Sequence, residues 1–362
     1  MKLYAFLFLF IAGITATAQK INYKGIDSLI GSLSNKDLFS GIVLIAENGH
    51  IHYEKAFGYR EFDKQLSLQK TDLFEMASVS KQFTAMIIMM LKEKGLLQYD
   101  DLVEKYLSIP YKGITIRNLL THTSGLPDYQ AIMDEHWDKS KVAGNDDILA
   151  YLNQYHPPAL FEPGTQYAYS NTGYVLLASI AEKASGTDFI NLCREKIFRK
   201  LKMNHTDIRS LSEKAAITHF AIGHIYVPEK NAFIRADSFP SSNYTIWLGN
   251  RKGPGRISST AEDLLKWDQA LYTEKLISQQ TLAEAFSPMK LKNGTVSNYG
   301  FGWVLPATQT NGKIVYHTGD NPGYKTEIIR FIDKKKTLIV LCNNASSQFE
   351  NIIQTIQSHI LQ

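Results

Sequence analysis

The chemistry of this chain starts at Met76-Ala77-Ser78-Val79-Ser80-Lys81. After Gln82 the residues run Phe, Thr, Ala, Met, Ile, Ile, Met, Met and Leu before charges return, and Gly95 closes the run. A helix that is apolar nearly all round is a buried one, and a glycine just past it is a natural stop. Ser78 and Lys81 then share one face of its first turn. That pairing suits nucleophilic catalysis, because a serine hydroxyl attacks poorly until a neighbouring base takes its proton. An ammonium at the start of a buried helix loses hydration and meets the positive helix end, so its pKa falls and Lys81 can act as that base. The Ser78 amide can help hold an oxyanion. Spacing alone does not decide the matter. Ser67/Lys70 and Ser287/Lys290 repeat it, the first in a polar loop and the second broken by Pro288. On local grounds Ser78 fits a plain helix N-cap equally well.

Tyr169-Ser170-Asn171 follows the turn Glu162-Pro163-Gly164-Thr165 and precedes a helix expected from about Thr172 to Ala184, stopped at Gly186. A tyrosine beside a lysine can pass a proton to a leaving group, and the asparagine amide can fix the lysine or a substrate carbonyl. Taken alone, Asn171 as an N-cap and Tyr169 as a core aromatic is the simpler reading. His317-Thr318-Gly319 ends an apolar strand-like run. Gly319 would let a substrate backbone approach, the Asp320 amide could be a second oxyanion donor, and His317 could donate to a substrate carboxylate or carbonyl. For His317 alone, an exposed histidine at a strand end is the plainer reading.

Taken together and in this order, Ser-x-x-Lys, Tyr-x-Asn and His-Thr-Gly resemble the serine beta-lactamase and penicillin-binding-protein superfamily. The closer resemblance is to its class C-like branch of D-aminopeptidases, D,D-carboxypeptidases and esterases. Phe74 to Ala85, Leu119-Leu120-Thr121-His122-Thr123-Ser124-Gly125-Leu126-Pro127, Ser259 to Leu264 and Tyr299-Gly300-Phe301-Gly302-Trp303 extend it along nearly the whole chain past residue 18. The resemblance implies that Ser78, Lys81 and Tyr169 are catalytic. It assigns substrate binding to Asn171, His317, Thr318, Gly319 and Asp320, with the Ser78 and Asp320 amides as the oxyanion hole and no cofactor.

Two positions depart from the family pattern. Beta-lactamases carry lysine where this chain has His317, and an imidazole mostly neutral at pH 7 holds a carboxylate less firmly, which argues against efficient beta-lactamase activity. Gly253-Pro254-Gly255-Arg256 stands where paired glycines and a small or apolar residue are usual. Arg256 either reaches the cleft as an anion site or, as is commoner for a loop arginine, is solvated.

The positioning elements follow from pattern. Ser40 to Glu47, Asn48-Gly49 and His50 to Tyr59 read as a hairpin with a type I′ turn. Lys313 to His317, Tyr324 to Ile332 and Thr337 to Cys342 read as strands, and Phe349, Ile352, Ile353, Ile356 and Ile360 as one face of a closing helix. The middle of the chain is mainly helical. The expected class is α+β, beta-lactamase/transpeptidase-like: an antiparallel sheet from both termini, flanked by helices, with an inserted helical domain. Residues 19–95 and 255–362 would form the sheet domain, and 96–254 the helical one with active-site loops.

Residues 1–18 carry Lys2, an apolar run from Leu3 to Ile14 and Ala16-Thr17-Ala18, the layout of a secretory signal peptide cleaved before Gln19. That layout predicts a periplasmic or secreted protein with no membrane anchor. The net charge of +4, which becomes +3 without Lys2, is scattered and forms no nucleic-acid footprint. Cys193 and Cys342 read as buried free thiols. His50-Ile51-His52 lacks a His-Glu-x-x-His or nearby carboxylates, so no metal is expected. The sequence thus predicts an exported serine hydrolase that cleaves an amide or ester through acyl-Ser78. D-amino-acid peptides or related small molecules are the expected substrates. The competing readings are a class C-like beta-lactamase and a non-catalytic penicillin- or peptidoglycan-binding module, and the sequence does not speak to oligomeric state.

Overall fold

The computed structural model describes residues 21–308, 310 and 312–361. The expected signal segment and the Gln19 start lie outside the described residues. The elements that matter here are helix α1 (Tyr23–Ser34), strands β1 (Gly41–Glu47) and β2 (His50–Phe57), and helices α2 (Lys81–Glu93), α3 (Asn171–Ser185) and α4 (Ala261–Ala270). Strands β3 (Ile314–Asn321), β4 (Tyr324–Phe331) and β5 (Lys336–Cys342) and helix α5 (Phe349–Leu361) complete them.

The five strands form one antiparallel sheet in the order β3-β4-β5-β1-β2. β1 and β5 are continuous apolar runs, as strands covered on both faces must be. Ile42 and Leu44 turn to the core that contains α2, while Val43 and Ile45 turn to the core filled by α1 and α5. This period of two places one layer of helix on each side of the sheet. Asn48 and Gly49 have φ of 51° and 78°, the left-handed pair that a type I′ hairpin turn requires. Phe349, Ile352, Ile353, Ile356 and Ile360 are all buried on α5, in line with their spacing.

Two segments differ from expectation in ways that bear on the site. β3 does not end at His317. Asp320 pairs with Lys325 and Asn321 with Tyr324, so only Pro322 and Gly323 turn the corner. Proline pre-sets the first corner position, and Gly323, with φ of 81°, takes the second. His317, Thr318, Gly319 and Asp320 therefore all lie on an edge strand. In addition, α2 is entered through a 3₁₀ turn, Ala77–Ser80, rather than a regular α turn. A small sheet anchors that entry. Phe74–Glu75 and Asp207–Ile208 both pair with Ile257–Ser259, and the Met76 amide donates to the Ile257 carbonyl at 2.8 Å.

Every residue of α2 from Lys81 to Leu91 is buried, and α3 packs along it. Gly95, with φ of 71°, ends the helix, and the Leu96 amide returns to the Leu91 carbonyl at 3.0 Å. Cys193 and Cys342 are buried free thiols. No helix among the described residues is long and apolar enough to cross a membrane.

α4 is tied to the sheet by a buried ion pair. Asp268 Oδ1 accepts from Arg330 Nε at 2.5 Å, and its other oxygen accepts from the Thr337 hydroxyl at 2.7 Å. Asp268→Ala leaves a buried guanidinium uncompensated, and denaturant unfolding should record a loss of about 3–5 kcal/mol. A loss below about 1 kcal/mol would mean that water reaches Arg330.

Candidate active site

Lys81 is 0% exposed, and its Nζ has three polar neighbours. They are Ser78 Oγ at 3.1 Å, Asn171 Oδ1 at 2.9 Å and the Pro254 carbonyl oxygen at 2.9 Å. The last two are pure acceptors. A neutral amine gives one hydrogen to each and keeps its lone pair for the Ser78 hydroxyl. Burial, and then the positive charge of Arg251, hold the Lys81 pKa well below its ordinary value, with Asp128 opposing weakly. Composition, position and charge thus converge on a base.

Both acceptors are placed by local structure. The Asn171 side chain is available because Ser170, not Asn171, caps α3: its hydroxyl accepts the Gly173 amide at 3.2 Å. Pro254 follows Gly253, whose φ is 107° and whose missing Cβ would lie 2.1 Å from the Tyr174 carbonyl. The Gly253 carbonyl is fixed in turn by the Thr84 hydroxyl at 2.7 Å, on the same helix as Lys81.

Tyr169 stands at the mouth of the cleft, 43% exposed, with its ring centroid 4.7 Å from Lys81 Nζ. Burial of its hydroxyl end raises its pKa, opposed by the neighbouring Ser78 hydroxyl, so it stays a protonated phenol. A protonated phenol and a neutral amine on one serine hydroxyl are suited to donating and accepting a proton respectively. Ser78 itself is half-buried and follows Ala77, whose φ of 46° is a strained left-handed conformation.

β3 forms the opposite wall. The Val304 amide donates to the Tyr316 carbonyl at 2.8 Å, and the Tyr316 amide returns to Val304 at 3.2 Å, so the peptide groups of Tyr316 face away from β4. Alternate residues of a strand share that direction, which aims the amides of Thr318 and Asp320 at the open edge. The Asp320 amide is therefore oriented as an oxyanion donor would be. Gly319 serves a different purpose from the one its sequence suggests. A Cβ there would lie 2.4 Å from the Met76 carbonyl and 3.1 Å from Ala77 Cβ. The glycine makes room for the turn that carries Ser78, rather than for a substrate backbone.

His317 also departs from expectation. It is neither exposed nor open to a substrate: the residue is 2% exposed and both ring nitrogens are occupied. Nδ1 donates to the Thr318 carbonyl at 2.6 Å, and Nε2 accepts from the Tyr299 hydroxyl at 2.7 Å. Burial, and then the nearby Lys81, bring its pKa down to about 3, so the ring is neutral at any ordinary pH. Thr318 is exposed beside it. Arg256 is neither solvated nor at the cleft surface, since it is 3% exposed and donates to the Thr245 and Arg209 carbonyls at 3.0 and 3.1 Å.

Several contributors escape the sequence reading. His122 belongs to a recognised stretch, but its part emerges only here. Its Nδ1 accepts the Ser170 amide at 3.0 Å, and its ring lies 4.2 Å from Tyr169 and 4.4 Å from Tyr299. It thus fixes the start of α3. Arg251, which donates to the Tyr129 hydroxyl at 2.5 Å, carries no sequence signal at all. Among the described residues no group of three or more His, Cys, Asp or Glu side chains could hold a metal ion.

Two outcomes follow from this geometry. Gly319→Ala should keep a folded circular-dichroism spectrum but lower the rate of Ser78 acylation by roughly 100-fold, because it drives β3 and the Ser78 turn apart. A near-normal rate would contradict the close packing described. Arg251→Gln removes a positive charge that disfavours protonated Lys81, so the Lys81 pKa rises. The acid limb of the kcat/KM profile should move to higher pH, and an unmoved or lowered limb would exclude this coupling.

Comparison with known proteins agrees with this architecture. The beta-lactamase family profile matches residues 26–358. Penicillin-binding protein 4* of Bacillus subtilis is 43% identical over 342 residues, covering 93% of this chain and 76% of that one. The octameric penicillin-binding protein homologue from Pyrococcus abyssi superposes with a TM-score of 0.79 at 27% identity, over 91% of this chain and 75% of that one. The D-amino acid amidase from Ochrobactrum anthropi SV3, at 20% identity and a TM-score of 0.76, covers 93% of this chain and 98% of its own and shares the fold. This chain belongs to the beta-lactamase family, within the serine hydrolase superfamily of beta-lactamases and penicillin-binding proteins.

Proposed function

We propose that the protein is an exported hydrolase that cleaves an amide or ester through an acyl-Ser78 intermediate, acting on D-amino-acid peptides or related small substrates. The observation that carries this reading is the buried Lys81 amine, its pKa held well below the ordinary value by burial, 3.1 Å from Ser78 Oγ and hydrogen-bonded to Asn171 Oδ1 and the Pro254 carbonyl oxygen. Lys81 takes the Ser78 proton as Oγ attacks the substrate carbonyl. The amides of Ser78 and Asp320 receive the charge that develops on the carbonyl oxygen. The leaving group departs with the Tyr169 proton, which Lys81 restores. A water molecule then releases the acyl group by the same proton transfers in reverse.

The relatives named for penicillin binding support an acyl-serine route, and the pattern of residues 1–18 supports export. His317 bears on selectivity among family substrates. Buried, neutral and doubly hydrogen-bonded, it offers no fixed cation to a beta-lactam carboxylate, which favours the peptidase or esterase reading over a beta-lactamase.

Intact-protein mass spectrometry tests the nucleophile. Wild-type protein and Ser78→Ala are mixed with a penicillin, an activated ester and a D-alanine amide, and sampled from seconds to hours. A transient adduct should form on the wild type alone, and the reagent that clears fastest identifies the substrate class. Lys81→Ala should slow acylation by at least ~10³-fold, since members of a catalytic unit fail together. An adduct on Ser78→Ala at the wild-type rate would refute the mechanism.

A further inference from the structure

A cavity of about 570 Å³ is walled by Glu75, Lys214, Arg251, Arg256 and Asn321 among others, and Gly255 links it to the Ser78 turn, since a Cβ there would lie 3.7 Å from both Arg251 Nη2 and the Ala77 carbonyl oxygen. It has the size of a small-molecule site. Its acids are each engaged by a base of the same wall: Glu61 by Lys64, Glu75 by Lys214 and Asp237 by Arg235. Arg60 pairs with Asp72. Arg251 and Arg256 remain, and neither has a carboxylate partner among the described residues. Their hydrogen bonds go to neutral oxygens, namely the Tyr129 hydroxyl and the Thr245 and Arg209 carbonyls.

Both guanidiniums are deeply buried, at 6% and 3% exposure, and the Nε of each has no partner. Glu75 is an acid of the same wall whose charge acts on Arg256, and burial raises its pKa. Lys214, Arg256 and Arg251 outweigh that effect and keep it ionised. One negative charge thus faces three positive ones. Two buried cations with no carboxylate in contact are costly, and an anion entering the cavity relieves that cost.

The cavity's position indicates which part of a substrate would reach it. Its wall includes Glu75, shortly before Ser78, and Asn321, immediately after Asp320. Tyr169, which hands a proton to the leaving group, lies instead toward His317, with ring centroids 6.3 Å apart. The leaving group therefore occupies the His317 end of β3, and the acyl portion retained on Ser78 extends toward the Asp320 end, on the side of Asn321 in the cavity wall.

We propose that this cavity is a subsite for a carboxylate carried on the acyl portion of the substrate, with Arg251 and Arg256 as its charge partners. The proposal rests on the acyl-Ser78 reading above and narrows its substrates to anionic acyl donors.

The test compares N-succinyl-D-alanyl-4-nitroanilide with its neutral succinamide counterpart, which share one scissile bond. Wild-type kcat/KM should favour the carboxylate by roughly tenfold or more, as charge-assisted hydrogen bonds to guanidinium allow. In Arg256→Gln the ratio should fall to within about twofold of one, and Arg256→Lys should restore part of it. Equal wild-type values on the two substrates, with Ser78 acylated by both, would overturn the subsite while leaving the nucleophile reading intact, and need no variant to interpret. Calorimetry with the Ser78→Ala protein gives an arm independent of turnover. N-succinyl-D-alanine should bind it and should fail to bind the Ser78→Ala/Arg256→Gln protein, and absence of binding to the first would overturn the subsite directly.

Discussion

The arrangement turns on one buried amine. An ammonium removed from water costs several kcal/mol unless a counter-charge meets it, and Lys81 meets two carbonyl oxygens and a hydroxyl instead. Burial therefore moves the balance toward the uncharged form, whose lone pair has one direction left. Long-range structure exists largely to keep that so. α2 is buried on all sides, which denies Lys81 water. The backbone at Gly253 turns through a conformation that only glycine adopts easily, and so presents the next carbonyl to Nζ. Ser170 caps α3 with its own hydroxyl, and His122 holds the Ser170 amide, so the Asn171 side chain arrives without a competing role.

The same economy governs the opposite wall. An edge strand must approach the Ser78 turn closely enough for its outward amides to share a carbonyl oxygen with the Ser78 amide. Any side chain at position 319 would collide with Met76, so the approach depends on the absence of a Cβ. Ala77 carries the remaining strain, and the turn is held in place from both sides. The Thr326 hydroxyl on β4 donates to the Met76 carbonyl, and the Ser80 hydroxyl accepts the Ile257 amide. Strain of this kind persists only where neighbours over-determine the backbone.

Much of this was legible in the sequence, and the division has a physical basis. α2, α5 and the β1–β2 hairpin were readable because apolar periodicity and a two-residue turn are local signals. The motif residues Ser78, Lys81 and Asn171 converge in space as their order and type imply. What local reading missed depends on partners far along the chain. His317 reads as exposed because the apolar run stops there, whereas β4 continues the pairing and Tyr299 covers the ring. Arg256 looked like a loop arginine because nothing nearby reveals that Thr245 and Arg209 offer their carbonyls. The Pro254 oxygen, a central acceptor for Lys81, is a backbone atom and leaves no mark on residue type.

The unpaired arginines and the uncharged lysine have a common logic. Arg251 lies close enough to the site for its charge to disfavour a second one on Lys81. A permanent carboxylate against Arg251 would cancel that influence and favour the protonated, inactive lysine. Leaving the guanidinium without an acid thus keeps the base ready while no substrate is bound. An arginine held that way, in a cavity whose wall includes Asn321 at the end of the oxyanion strand, also attracts an anion. An entering anion relieves the cost of burying two cations together, yet against Arg251 it also raises the Lys81 pKa, so the charge that prepares Lys81 limits how closely such a group can approach Arg251 rather than Arg256.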